Sequence, residues 1–333
     1  MEPWLLLIIL LSFLCTLFAI PLWIKRAHTE KLVGRDMNKL DKREVAEGGG
    51  VGVLLGAAIG ILLYIAIKTF YFGKGEEMTY IFAILCVLLI AFIIGVLDDF
   101  LGWKKGLSRR IRIFAVFFAA IPLMVINAGS STMSIPFFGA FNLGIFYPLL
   151  IIPLGVIGAT TTFNFLAGYN GLESSQGILI LSALAYVTYV TGNAWLSIIS
   201  LCMVASLLAF YIYNKYPAKI FPGDALTYSV GALIATIAIL GNIEKIAVFF
   251  FIPYILEVVL KARGKLVKES FAKVNPDGSL EMPYEKIYGL EHLAIYLLKR
   301  IKPSKKVYEK EVVYLINSFQ IFIIFLGLFL FVL

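Results

Sequence analysis

Thr160–Gly177 reads TTTFNFLAGYNGLESSQG and stands between two long apolar runs. A helix that only anchors has no use for Asn164, Asn170 and Glu173 at a membrane–water boundary, where polar groups are costly to desolvate. Three further polar clusters, Asp36–Glu47, Asp98–Arg110 and Tyr216–Asp224, interrupt apolar runs in the same way. The reading that decides the fold is that all four clusters meet on one side of a membrane and form one site.

Composition supports the membrane. The chain has 333 residues, 60% of them hydrophobic and only 15% charged, with mean hydropathy +0.91. A soluble protein carries about a quarter charged residues, so this chain lacks the polar shell that a soluble core of its size needs. About twenty apolar residues span a bilayer. Ten runs approach that length: 4–24, 49–73, 78–97, 111–128, 145–165, 175–192, 194–213, 225–241, 245–261 and 312–332. The spacing predicts an all-α polytopic membrane protein of about ten transmembrane helices, with a single transmembrane domain over 1–333. The first run is too long for a signal-peptide core and lacks a small-residue cleavage site, so it is read as a helix. Cys15, Cys86 and Cys202 lie in apolar runs. They have neither metal-ligand spacing nor the aqueous setting of a disulfide framework.

Basic residues give an orientation. Loops 25–48, 98–112, 214–224 and 261–311 hold seven, five, two and twelve Lys or Arg, which is 26 of the 29. With ten spans these loops share one face, and Lys68, Lys74 and Lys245 fall on the other. The positive-inside rule then makes the four loops cytoplasmic and leaves both termini outside. Membrane orientation accounts for the net charge of +8, so no nucleic-acid partner is expected. Outside, Ser131–Gly144 alternates and turns like a small hairpin. Inside, the excursion 262–311 carries Asn275-Pro276-Asp277-Gly278 between the extended stretches Leu266–Val274 and Ser279–Ile287, which predicts a short β-hairpin. Leu290, Leu293, Ala294, Leu297 and Ile301 then form one stripe, as in a helix lying in the interface. His28 and His292 belong to no motif and are expected at the surface.

Asp98-Asp99 closes the third run, Asp224 opens the eighth and Asn164 ends the fifth, all on the cytoplasmic face of this topology. Singly they have ordinary readings. Asp98-Asp99 can begin a solvated loop beside Lys104 and Lys105, Asp224 can cap a helix after Pro222-Gly223, and Asn164 can bond a neighbouring helix. Together they make an oxygen-rich site of the kind hard Mg²⁺ favours, with positions left for phosphate. Surrounding cations suit an anionic substrate. The chemistry indicated is metal-assisted phosphoryl transfer at the cytoplasmic surface. Ser174 and Ser175 lack a histidine partner, which argues against a serine hydrolase. An intramembrane aspartyl protease needs its acids inside the membrane. An ion-coupled transporter places charges near the midplane, whereas the centres of these runs are nearly charge-free. Gly48–Gly50 lacks the Lys-Ser/Thr of a phosphate loop and is read as close helix packing.

Five ordered stretches, GRDMNK…VAEGGGV, GVLDDFLGWKKGLSRR, FNFLAGYNGLESSQ, YNKYPAKIFPGDALTY and NPDGSLEMPYEKIYG, resemble the polyprenyl-phosphate N-acetylhexosamine-1-phosphate transferases. The last is most similar to the archaeal and eukaryotic branch that acts on UDP-N-acetylglucosamine and dolichyl phosphate. The resemblance implies transfer of a sugar phosphate between those two substrates, in contact with membrane lipid, with Mg²⁺ as cofactor and Mn²⁺ as a substitute. It leaves a homodimer open. It also implies roles: Asp98 and Asp99 as the catalytic acid pair, with Asp98 taking a proton, and Arg110 near the diphosphate. Asn164 and Asp224 would hold the metal. Gly168 and Phe221 would sandwich the uracil, Asn170 would hydrogen-bond it, and Glu47 would lie near the ribose. Lys39, in the first motif, is implied as a substrate contact. Lys268 and Glu269 align with the segment that reads the sugar. The chain departs from the family at Thr161, where relatives carry Asn, at Arg110, where Lys is usual, and at Lys268–Ser270. Another UDP-N-acetylhexosamine donor, and a route through an aspartyl-phosphate, remain open alternatives.

Overall fold

The computed structural model describes residues 3–73, 75–101, 106–135 and 139–332. Its helices are α1 Pro3–Thr29, α2 Gly50–Phe70, α3 Met78–Leu101, α4 Arg109–Val125, α5 Ile152–Phe163, α6 Leu172–Val190, α7 Ala194–Asn214, α8 Gly223–Leu240, α9 Glu244–Phe250, α10 Ile252–Arg263, α11 Leu290–Ile301 and α12 Glu309–Phe331. Every expected apolar run is helical. Among the described residues six helices, α1, α2, α3, α7, α8 and α12, are each long and apolar enough to cross a membrane. The protein is a multi-pass, all-α membrane protein.

Two runs are less regular than their hydropathy suggests. The run over 145–165 opens with a π-helical turn, Tyr147–Ile151, before α5. The run over 245–261 breaks at Phe251, whose ψ of 5° leaves the helical region. Pro253 follows two residues later. It has no N–H to donate, and its ring crowds the carbonyl four residues back, so one continuous helix is disfavoured.

The core is built around α8. All of Ala225–Leu240 is buried, as befits a helix that is apolar on every side, and α3, α5 and α2 pack against it. Close approach needs residues without side chains. A Cβ on Gly95 of α3 would lie 2.5 Å from Ala225 Cα, and one on Gly50 would collide with the backbone of Leu226. The Gly48–Gly50 run thus serves the close packing expected of it. These contacts bring the last turn of α3, the first turn of α2 and the first turn of α8 to one place.

The small sheets lie in the loops. Val33–Arg35 (β1) pairs antiparallel with Glu44–Ala46 (β2) inside the first basic loop, a hairpin that its charged sequence does not announce. Thr132–Ile135 (β3) pairs with Gly139–Asn142 (β4) as expected. The expected hairpin of the 262–311 excursion forms but is short, Lys273–Val274 (β5) against Leu280–Glu281 (β6). Its turn is closed by the Asn275 N–H to the Ser279 carbonyl at 2.8 Å. The stretch before β5 is not extended, because Lys265 and Leu266 take positive φ of 56° and 58°. The amphipathic α11 forms as expected. Leu290 and Ala294 are buried, while Leu297 and Ile301 are exposed toward its end. His28 is at the surface. His292 is not: it is fully buried on α11, beside the equally buried Glu291, because that helix docks against α10 and α12. The Lys68–Glu77 ion pair, at 2.9 Å, links the ends of α2 and α3 remote from the basic loops. Lys74 lies outside the described residues.

Candidate active site

The four polar clusters converge. Asp99, in the last turn of α3, caps α8. The Asp224 N–H donates to its Oδ1 at 2.7 Å, and the Ala225 N–H to its Oδ2 at 3.1 Å. A carboxylate there satisfies free N–H groups and meets the positive end of the helix dipole. This cap pins α3 to α8 and sets the position of the Asp224 side chain. Asp98 is buried and fully engaged. Its Oδ1 accepts from the Leu107 N–H at 2.7 Å. Its Oδ2 lies 2.7 Å from Arg112 Nη2 and accepts from the Tyr228 hydroxyl at 3.2 Å. The same Arg112 nitrogen is 3.7 Å from Asp224 Oδ2.

Arg112, rather than Arg110, is therefore the arginine set between the acids, and Arg110 is exposed. Both stand in the first turn of α4, which Ser108 caps by accepting from the Ile111 N–H at 3.4 Å. Residues two apart on a helix point to different faces, so only one of the pair can reach α3. The sequence does not say which of the two faces α3. Lys104 and Lys105 lie outside the described residues.

A cleft of about 480 Å³ opens beside this cluster. Of the expected residues, Glu47, Asp99, Asn164, Gly168, Asn170, Phe221 and Asp224 all line it. Burial pushes the Glu47 carboxyl up. Gly168, at φ +102°, offers bare backbone, and a Cβ there would lie 2.9 Å from the Phe271 ring. Phe271, not Lys268 or Glu269, is the wall contributed by the 262–311 excursion. Lys268 is exposed and packs over the Tyr284 ring, 4.7 Å from its centroid. The Glu269 side chain is also exposed.

The Gly168–Gly171 turn is held from behind. The Gly168 N–H donates to Glu173 Oε1 at 2.8 Å, and the Asn170 N–H to Glu309 Oε1 at 2.8 Å. Asn38 donates to the Gly168 carbonyl at 3.0 Å and accepts from the Ala272 N–H at 3.1 Å. Lys39 sits outside the cleft wall. It is ion-paired with Glu309 and, at 3.4 Å, with Asp36. Sequence reasoning missed Asn38 and Glu309. Glu309 opens the last apolar run within a basic tract, where an acid reads as solvated; in the structure it is buried.

An apolar groove lined by Trp23, Val51, Phe92, Val96 and Phe100 meets the cleft at Glu47 and Asp99. Trp23 closes one side, its indole N–H donating to the Glu47 carbonyl at 2.8 Å. Phe92 and Val96 come to it from α3. Phe114 and Phe118 are exposed on α4.

The described residues include no group of three His, Cys, Asp or Glu able to hold a metal ion. The oxygen donors Asp224 and Asn164 share the cleft wall, while both Asp99 oxygens are taken by backbone N–H groups. Such a donor set fits a hard cation that takes its remaining oxygens from substrate phosphates, not one caged by protein.

Fold and cleft together define a multi-pass membrane enzyme with an acidic, amide-lined site beside an apolar groove. Residues 81–242 match the family model described as Glycosyl transferase family 4. The chain is 39% identical over 289 residues, 86% of each chain, to a protein of Saccharolobus solfataricus provisionally named UDP-N-acetylglucosamine–dolichyl-phosphate N-acetylglucosaminephosphotransferase. A protein of Sulfolobus acidocaldarius with the same provisional name is 33% identical over 296 residues, 88% of each chain. A phospho-N-acetylmuramoyl-pentapeptide-transferase of Streptococcus mutans is 30% identical over 259 residues, 74% of this chain and 76% of its own. The chain belongs to glycosyl transferase family 4 and is a transferase.

Proposed function

We propose that this protein transfers N-acetylglucosamine 1-phosphate from UDP-N-acetylglucosamine to a polyprenyl (dolichyl) phosphate, giving the lipid diphosphate sugar and UMP. The carrying observation is that Asp98, Asp99, Asp224 and Arg112 gather where an amide-lined cleft meets an apolar groove. A nucleotide sugar needs the first feature and a lipid phosphate the second. The provisional names of the two archaeal relatives support the same pair of substrates.

The lipid chain lies in the groove and brings its phosphate to the Glu47–Asp99 junction. The uridine lies against Gly168, Asn170 and Phe221. A lipid-phosphate oxygen attacks the phosphorus that bears the sugar; the bond from that phosphorus to the bridging oxygen breaks, and UMP leaves. The Arg112 guanidinium stabilises charge that spreads over the diphosphate. Asp98 holds Arg112 in place. Asp98 lines neither cleft nor groove, whereas Asp99 lines both and keeps lone pairs beyond its two backbone bonds, so Asp99 is better placed to take any proton left on the attacking phosphate. Asp224 and Asn164 would hold Mg²⁺, which would supply charge neutralisation for the reaction. The site faces the cytoplasm, where the basic loops lie.

The test is a donor panel. Purified protein in detergent receives polyprenyl phosphate with UDP-N-acetylglucosamine or another UDP-N-acetylhexosamine, and lipid products are read by mass. Product from UDP-N-acetylglucosamine, lost on adding a chelator, is expected. Product only from another donor would contradict the sugar assignment, and turnover unaffected by the chelator would contradict the metal.

A further inference from the structure

Asn170 lines the cleft beside a buried carboxylate, Asp36, which borders the same cleft. Its side-chain Nδ2 donates to Asp36 Oδ2 at 3.0 Å, while its backbone N–H is held by Glu309. Asp36 is 3% exposed, and the same oxygen has Lys39 Nζ at 3.4 Å and Arg43 Nη2 at 3.8 Å. A side-chain amide has one donor end and one acceptor end, whereas a carboxylate only accepts. Turning the amide over would set two acceptors against each other in a buried place, which is unfavourable. The amide therefore keeps its NH₂ toward Asp36, and its Oδ1 is left for the cleft.

Building on the reading of the donor as a uridine diphosphate sugar, we propose that Asp36 is a positioning residue that sets the base preference. By fixing the Asn170 amide, it makes this wall of the cleft accept a hydrogen bond from the base. Uracil carries a hydrogen on N3 and satisfies that wall. Cytosine has an acceptor at N3 and leaves two acceptors opposed. Lys39 and Arg43 hold the Asp36 carboxylate, and Glu309 with Asn38 holds the turn that carries Asn170. The preference is thus built from the loop that joins β1 to β2 and from the start of α12, with Asp36 bordering the cleft beside Asn170.

The test uses UMP and CMP as competing inhibitors of transfer by the full-length protein in detergent. The wild type should prefer UMP by about tenfold or more, the scale set by one mispaired buried hydrogen bond. In Asp36→Asn the partner can present either polarity, the Asn170 amide is free to turn, and the preference should fall toward unity. The KM for polyprenyl phosphate should not change, which separates this effect from general loosening of the site. The exchanged pair, D36N/N170D, puts the carboxylate on the turn and the amide beneath it. An acceptor faces the cleft again, and the UMP preference should return. Undiminished preference in D36N, or no recovery in the exchanged pair, would overturn the proposal. If D36N does not fold, N3-methyl-UMP with the wild type decides: inhibition about tenfold weaker than by UMP supports the assignment, and equal inhibition overturns it. A wild type that neither consumes UDP-N-acetylglucosamine nor binds UMP would instead refute the proposed reaction, and this inference with it.

Discussion

At the scale of single residues, the site is defined by which charges meet. Asp224 lines the cleft beside Asp99, which caps α8, and Asp98, which holds Arg112. Asp224→Asn keeps the shape and removes the charge. Turnover should fall by more than about two orders of magnitude, the range seen when one electrostatic stabiliser is lost. The melting temperature should stay near that of the wild type. Near-normal turnover at limiting Mg²⁺ would show that Asp224 holds no metal. The two arginines give a sharper contrast. Arg112→Ala leaves Asp98 buried without its cation, so it should lower both the rate and the stability, the latter by about 3 kcal/mol. Arg110→Ala removes an exposed group and should change the rate by less than about fivefold; steady-state kinetics on the two variants side by side decides. The acids and amides were legible because their residue types are out of place at the ends of apolar runs. The choice of arginine was not, since it depends on the phase of α4. Nor was Glu309, whose burial requires β1–β2 folded against the 168–171 turn.

At the scale of elements, hydropathy located the apolar helices, and Pro253 marks one break, while Pro21 and Pro122 lie inside the unbroken α1 and α4. The Phe251 break could have been read from Pro253, but a run of apolar residues masks it. The burial of His292 could not be read, because it follows from how α11 docks. His292 accepts from the Tyr288 N–H at 3.4 Å. Burial, with the Lys261 charge, pushes its imidazole down to about 4. The unfolded chain therefore takes up a proton on this histidine near pH 6.5 that the folded protein refuses until about pH 4. The stability contributed is fully present above about pH 6.5 and is lost as pH falls through that window. Glu291 runs the other way: burial, and Glu257 beside it, raise its carboxyl well above the usual range, so folding retains its proton and stability falls as pH rises. Comparing wild type with His292→Asn isolates the histidine. Between pH 7 and pH 4.5 the wild type should lose on the order of 2 kcal/mol relative to the variant, seen as converging melting temperatures. A difference that stays constant across that range would mean that His292 titrates normally.

At the scale of the whole molecule, the four polar clusters were expected to meet, and they do, through Asp36 with Asn170, Asp99 with Asp224, and Ala46 with Ile220. That convergence was legible because charge and hydropathy together fix which loops share a face, while the distances were not, because glycines such as Gly95 set how closely α3 approaches α8. The sidedness we propose has its own consequence. Single cysteines at Ser108 and Ser304 should react with an impermeant thiol reagent in inverted vesicles only, and one at Ser131 from outside only; the reverse pattern would separate the site from cytosolic nucleotide sugar. The central claim is that a phosphorus atom crosses to the lipid together with the sugar. The most direct measurement uses UDP-N-acetylglucosamine labelled at the phosphorus next to the sugar, purified protein and polyprenyl phosphate. The account predicts that the label enters the lipid extract in step with release of unlabelled UMP, and that Asp224→Asn stops both. Label that stays on the nucleotide as UDP, or that is released as water-soluble sugar phosphate, would contradict it.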